Sequence, residues 1–246
     1  MKNDLDLFIC THGDFDPYPH DDTYKIVAGK DDLKKKYDIP VIIEENEKYT
    51  HLQKTINEFT RMWYVYKHVD IKDYVGFCHY RRFFSFYDNI PSVQDILKGH
   101  DIVVNNPIKT NMKSQYAACH NESDYNLMVR IVKDLYRISN KEMALYEKSI
   151  IPCNIFITNK DMFYRFCEFQ SSVIDEFLNQ MNFKTYEDVV NHVNKNKHIY
   201  THVSQAYQSR LIAFLIERIS TIFFKKYTKN LGFINIKYIK QYQIPY

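Results

Sequence analysis

The sequence predicts an α/β domain with a mainly parallel central sheet flanked by helices, and three observations carry that expectation. Short apolar runs alternate along the chain with segments whose apolar residues recur every three and four positions. Repeats and low-complexity tracts are absent, as is any linker-like stretch. With 246 residues, 45% of them hydrophobic and only five glycines, the chain can bury a substantial core. Residues 1–246 therefore read as one domain, with a helical C-terminal portion over about 160–230 and a basic aromatic tail over 225–246.

The elements follow in order. Leu5 to Thr11 reads as a buried first strand ending at His12-Gly13, followed by an acidic, Pro-containing loop from Asp14 to Asp22. Tyr24 to Gly29 is a second strand stopped by glycine. Leu52, Ile56, Phe59, Trp63 and Tyr66 predict a helix over 48–69, and a strand crosses 73–78. Asp101–Val104 is a further strand. Leu127, Ile131 and Leu135 place a helix over 121–137. Ile155–Thr158 is a strand capped by Asn159, with long helices expected from Asp161 to Gln180 and from Ser204 to Phe224.

Charge and cysteine usage exclude several classes. A net charge of +3 is too small for a general nucleic-acid binder. Its distribution is uneven, with twelve acids against seven Lys in residues 1–50 and five Lys with no acid in residues 219–246. The basic tail from Phe223-Phe224-Lys225-Lys226 onward suits either an anionic membrane surface or packing back onto the domain. Cys10, Cys78, Cys119, Cys153 and Cys167 are scattered, and Met1-Lys2-Asn3-Asp4 leads into a strand, which predicts reduced thiols and no signal peptide. No run is long and apolar enough to span a membrane. Neither GxGxxG nor GxxxxGK[ST] occurs, and His198 with His202 lacks the intervening Glu of a metalloprotease.

The chemistry concentrates at the ends of predicted strands, where ligands gather in open α/β sheets. Gly76-Phe77-Cys78-His79-Tyr80-Arg81-Arg82-Phe83-Phe84 delivers an imidazole and two guanidiniums beside an aromatic shelf. Adjacent arginines are poorly suited to packing and well suited to a bidentate anion, here the diphosphate of a nucleotide sugar. An ion pair to an acid such as Glu58 is the structural alternative. Thr11, His12, Gly29 and Arg210 are the companion donor-binding candidates, with an internal ion pair to Glu217, two helical turns on, as the alternative for Arg210. His120 and Asp124, four apart where a helix begins, could deprotonate an acceptor hydroxyl; capping by Asn121 or Ser123 is the alternative. Tyr116 and Asn154 are candidates for holding the acceptor. Paired Asp residues for a metal are absent at the middle strand. No tightly bound cofactor is expected, although Mn or Mg could assist.

Together these segments resemble a bacterial family of capsular and exopolysaccharide glycosyltransferases that includes galactofuranosyltransferases. The matching pieces are Thr11-His12, Ala28-Gly29, Glu58-Phe59-Thr60-Arg61-Met62-Trp63-Tyr64, the His79-Tyr80-Arg81-Arg82 segment, Gln115-Tyr116 with His120 and Asp124, Cys153 to Ile157, and Arg210 with Phe214 to Arg218. The match runs from about residue 5 to 224. Two departures are Glu45 to Tyr49, where the family has a Gly-Asp-Asn-Ile-Ser type segment, and Ala213, where Gly is usual. The resemblance implies a GT-A-like nucleotide-binding fold and transfer of a sugar from a nucleotide donor, UDP-linked, to a lipid-linked glycan in surface-polysaccharide synthesis. Work at the inner face of the cell membrane, from the cytoplasm, would follow. A non-catalytic glycan- or nucleotide-binding subunit, or a transferase of phosphate-linked groups, would use the same residue types.

Overall fold

The computed structural model describes residues 4–196 and 203–238. Its strands are β1 (Leu5–Cys10), β2 (Tyr24–Gly29), β3 (Val41–Glu44), β4 (Tyr74–His79), β5 (Arg82–Phe84), β6 (Ile102–Asn105), β7 (Ile108–Lys109), β8 (Ser149–Ile150), β9 (Phe156–Asn159), β10 (Leu231–Ile234) and β11 (Ile236–Tyr238). The helices are α1 (Gln53–Ile56), α2 (Glu58–His68), α3 (Val93–Leu97), α4 (Met112–Ala117), α5 (Glu122–Tyr136), α6 (Asn140–Tyr146), α7 (Lys160–Met181), α8 (Tyr186–Asn196), α9 (Gln205–Gln208) and α10 (Leu211–Tyr227).

The central sheet has the order β10-β6-β9-β4-β1-β2-β3. β4, β1, β2 and β3 run parallel, as do β6 and β10, while β9 lies antiparallel between β4 and β6. The sheet is thus mainly parallel, as expected, with one reversed strand in its middle. β5 turns back on β4 through the His79–Arg82 pair and receives β11 antiparallel on its other edge.

Burial explains why the strands read as continuous apolar runs. Successive side chains point to opposite faces, and here both faces are covered. Phe8, Cys10, Val75 and Phe77 face a large core closed by α2, α5, α7 and α10. Leu7, Ile9, Ile26 and Cys78 face a second core closed by Phe15, Ile39, Phe83, Phe84 and α3. Gly76 lies where β4 is sandwiched between neighbours; a Cβ there would stand 2.6 Å from Leu7 Cδ2 and 2.7 Å from Ile157 Cγ1. The caps read from sequence are present: Asn121 Oδ1 accepts from Ser123 N–H at 3.1 Å, and Asn159 Oδ1 from Met162 N–H at 2.8 Å.

Three expectations change. The helix expected over 48–69 is broken at Asn57 (φ 55°, ψ −128°), and the one expected over 204–224 is broken at Arg210. The C-terminal tail is not a free segment through residue 238: Phe223 and Phe224 are buried, and β10 and β11 join the sheet. Residues 239–246 of that tail, with His198 and His202, lie outside the described residues. Among the described residues no helix is long and apolar enough to cross a membrane.

Candidate functional site

Parallel β1, β2 and β4 end side by side. Cys10 sits opposite Val27 and His79, and Gly29 opposite Glu44. Thr11-His12, Gly29 and His79-Tyr80-Arg81 therefore reach one sheet edge, and the start of α2 faces them.

His79 is buried and ties the β4 end to α2. Its Nε2 lies 2.8 Å from Glu58 Oε1, and its Nδ1 accepts the Arg81 backbone N–H at 3.3 Å. An accepting Nδ1 fixes the neutral tautomer with the proton on Nε2. Burial pushes the imidazole pKa down, against the pull of Glu58. Burial would raise the Glu58 carboxyl, but the His79 hydrogen bond and the nearby Arg210 guanidinium hold it well below the usual carboxylate range. Glu58 is thus the partner of His79.

Asn57 aims this carboxylate. A non-glycine residue at φ 55° and ψ −128° is strained by roughly 1–3 kcal/mol, so the surroundings must hold it. With its amide oxygen toward Arg210, Asn57 accepts from Nε and Nη2 at 2.9 and 3.1 Å. The α1–α2 break and the α9–α10 break thereby meet, bringing Arg210 into the same neighbourhood as Glu58.

Arg61 forms a separate buried network. Nη1 meets Glu44 Oε2 at 2.5 Å, and Nη2 meets Asp32 Oδ2 at 2.6 Å. Thr50 and Thr60 also donate to Glu44, and the Gly29 N–H donates to Asp32 at 2.7 Å. Gly29 leaves room for this pair, since a Cβ would stand 3.0 Å from Asp32 and 3.1 Å from Arg61. Thr11 fixes the β1 end locally, its hydroxyl donating to Gly13 O and accepting from Gly13 N–H. Both residues shape the edge through the chain itself.

Arg81 behaves differently. Its guanidinium lies over the Tyr80 ring at 5.0 Å, its Nε is buried without a partner, and among the described residues it meets no carboxylate. His12 stands by, its Nε2 also buried and unpartnered, with burial pushing its pKa down to about 4. Arg82 extends the positive potential toward His79, Cys153 and Glu217. The aromatic shelf turns inward: Phe83 and Phe84 are core residues.

The second candidate group lies beside α5. The Asp124 carboxylate is 2% exposed and meets His192 Nε2 of α8 at 3.0 and 3.1 Å. Asp124→Asn is expected to lower stability by roughly 1–3 kcal/mol without weakening nucleotide binding, as melting with and without nucleotide would record. His120 stacks between Tyr116 (4.9 Å), Phe214 (4.5 Å) and Tyr207 (5.8 Å). Burial, with Arg218 nearby, lowers its pKa to about 3 from an ordinary 6.5. Between those values the unfolded chain takes up a proton that the folded chain refuses, so stability rises with pH across that window. Moving from pH 7 to pH 5 is expected to remove about 2 kcal/mol through this residue, and His120→Phe to remove that share of the pH dependence in denaturant melts.

Tyr116 and Asn154, the acceptor candidates, are both interior. Tyr116 packs on His120 and under the Arg218 guanidinium at 5.3 Å, and Asn154 Oδ1 accepts from the Ser220 hydroxyl at 2.6 Å. Asn154 and Cys153 take left-handed backbone conformations (φ 49° and 74°), and the Cys153 N–H donates to Glu217 Oε1 at 3.0 Å. Asn57 was not legible as a site residue, whereas Glu58 was an ion-pair candidate for the arginines and Glu217 stood in the Phe214 to Arg218 segment; their actual partners, His79 and the Cys153 N–H, come from the fold. Among the described residues no three His, Cys, Asp or Glu side chains stand together as a metal cluster.

The mainly parallel α/β sheet with one reversed strand is a GT-A-like fold. The chain belongs to the family described as "Domain of unknown function (DUF4422)", whose model matches residues 6–194. Among solved structures it is similar to the apo structure of WbbM, a bifunctional glycosyltransferase, with a TM-score of 0.68 and 17% sequence identity. That match covers 96% of this chain and 45% of the other, so this chain spans less than half of that protein's length. No curated protein matches.

Proposed function

We propose that this protein is a glycosyltransferase that binds a nucleotide sugar, UDP-linked, and passes the sugar to a lipid-linked glycan in surface-polysaccharide synthesis; galactofuranose is the sugar its sequence resemblance favours. The observation that carries this reading is Arg81. It is a guanidinium at the end of the central strand that meets no carboxylate among the described residues; Glu58 is bonded to His79, and Glu44 and Asp32 to Arg61. An anionic ligand is the natural counterpart of such a group.

In the reaction, the diphosphate faces Arg81, Arg82 and Arg210, which stabilise the charge that develops as the sugar leaves. His79, held neutral and oriented by Glu58, presents the Arg81 backbone correctly, and His12 borders the nucleotide. No resident cofactor is needed for this charge stabilisation; Mn or Mg would add to it. The enzyme would work in the cytoplasm at the inner face of the membrane. A thermal-shift titration with UDP, GDP, CMP and their sugar conjugates, each with manganese and with chelator, tests the reading. Stabilisation by one nucleotide class names the donor, and its survival in chelator supports the guanidinium clamp. An unchanged melting temperature with every nucleotide would overturn the transferase reading.

A further inference from the structure

We propose that Glu217 is the catalytic residue that takes the proton from the attacking hydroxyl, an inference that rests on the transferase reading above. The other acids near the cleft are committed elsewhere. Asp32 and Glu44 hold Arg61, Asp124 is sealed against His192, and Glu58 is held ionised by His79, which makes it a poor proton acceptor. The Glu217 side chain is 25% exposed. One oxygen is fixed by the Cys153 N–H, while the other has a long ion pair with Arg218 Nη1 at 3.6 Å and no hydrogen bond among the described residues.

Position agrees with this role. The Glu217 carboxyl feels the charges of Arg82 of β5 and Glu58 of α2, so it shares the electrostatic neighbourhood of the cationic strand end. Its partner Cys153 follows Pro152, and Pro152 lines a groove of about 390 Å³ together with Asn105, Asn106, Ile108 and Asn235. Side-chain amides, proline and isoleucine with no charged residue suit a neutral sugar, and the groove reaches the turn that holds the Glu217 carboxylate.

In the step, the acceptor oxygen attacks the anomeric carbon and the bond from that carbon to the diphosphate oxygen breaks. The electron pair leaves with the diphosphate toward Arg81, and the hydroxyl proton passes to Glu217. The titratable and charged groups that act on Glu217 are Glu58 of α2, Arg82 of β5, Tyr207 of α9, Arg218 of α10 and Cys153 of the β8–β9 turn. Burial pushes the Glu217 carboxyl up, with Glu58 adding to that and Arg218, the Cys153 N–H and Arg82 opposing it. The Cys153 thiol, raised by burial to about 12, stays protonated throughout. Two carboxylates driven apart in this way are the arrangement expected of a site that assigns them different roles.

The test measures nucleotide release from UDP-, GDP- and CMP-sugars, with water as the acceptor, by the wild type, Glu217→Gln and Glu217→Asp. Glu217→Gln keeps an acceptor for the Cys153 N–H. It is expected to melt with the wild type and keep its nucleotide-induced shift, but to lose roughly 10²-fold or more in kcat. The wild-type rate should fall on the acid side as Glu217 protonates, and the residual rate of Glu217→Gln should not. A kcat within about threefold of wild type, or an unchanged acid limb, would overturn the assignment. If Glu217→Gln does not fold, Glu217→Asp decides: kcat about tenfold lower at unchanged donor KM supports the role, and unchanged kcat removes it. A wild type that releases nucleotide from no donor would instead defeat the transferase reading itself.

Discussion

Arg81→Ala is expected to lower nucleotide-sugar turnover by roughly 10²–10³-fold, the cost of removing one preorganised charge-stabilising group. The same substitution should leave the fold almost untouched. Its guanidinium makes no ion pair among the described residues, and what is lost is one contact over the Tyr80 ring, worth about 0.5–1 kcal/mol. Melting should therefore move by no more than about 2–4 °C. Steady-state nucleotide release and circular dichroism on the same preparation check both halves. Arg81→Lys is the informative companion, because a lysine keeps the charge and loses the planar fork. A large loss in Arg81→Lys would point to bidentate recognition. Turnover unchanged in Arg81→Ala would remove the clamp from the mechanism.

Arg61→Ala is expected to do the reverse. Arg61 and Glu44 are both buried and 2.5 Å apart, so deleting the guanidinium leaves a carboxylate inside the protein with only threonine hydroxyls to solvate it. Breaking a buried pair from one side costs about 3–5 kcal/mol, which for a domain of this size lowers the melting temperature by roughly 6–20 °C. The double variant Arg61→Met with Glu44→Gln should recover a good part of this, because the penalty lies in the unmatched charge and not in the absence of the pair. If Arg61→Ala melted like the wild type, the network would not be what pins the β2 and β3 ends to α2. The two arginines, twenty positions apart in sequence, thus separate function from stability in one pair of experiments.

What could be read from sequence followed from how strongly each element is specified locally. β1, β4, β6 and β9 are buried on both faces, so their apolar runs announced them. β3 (Val-Ile-Ile-Glu) and β10 (Leu-Gly-Phe-Ile) are apolar runs of only four residues, exposed or half-buried along much of their length, and runs so short do not declare a strand by pattern alone. The antiparallel course of β9 is a property of how the chain returns to the sheet, which no local pattern encodes. The breaks at Asn57 and Arg210 were hidden because apolar spacing continues across them. His79 and Arg81 stood out at a strand end, whereas Glu58 was read only as a partner for the arginines and Glu217 only as part of a matching segment. Their significance comes from partners far away in sequence, on β4 and in the turn before β9.

The pairing of β11 with β5 gives the protein a particular order of assembly. Arg82 sits on a three-residue strand with His79 opposite on one side and Tyr238 on the other. During synthesis the ribosome delivers β5 early, and its partner emerges only after α10 and β10 have been made. Until then the strand that carries Arg82 has an unpaired edge, and β6 likewise waits for β10. Such long-range pairings are slow to form because loop closure precedes the contacts that reward it. A growing chain would therefore hold Arg82 in an unfinished ribbon, and this strand end would be among the last parts of the molecule to become rigid.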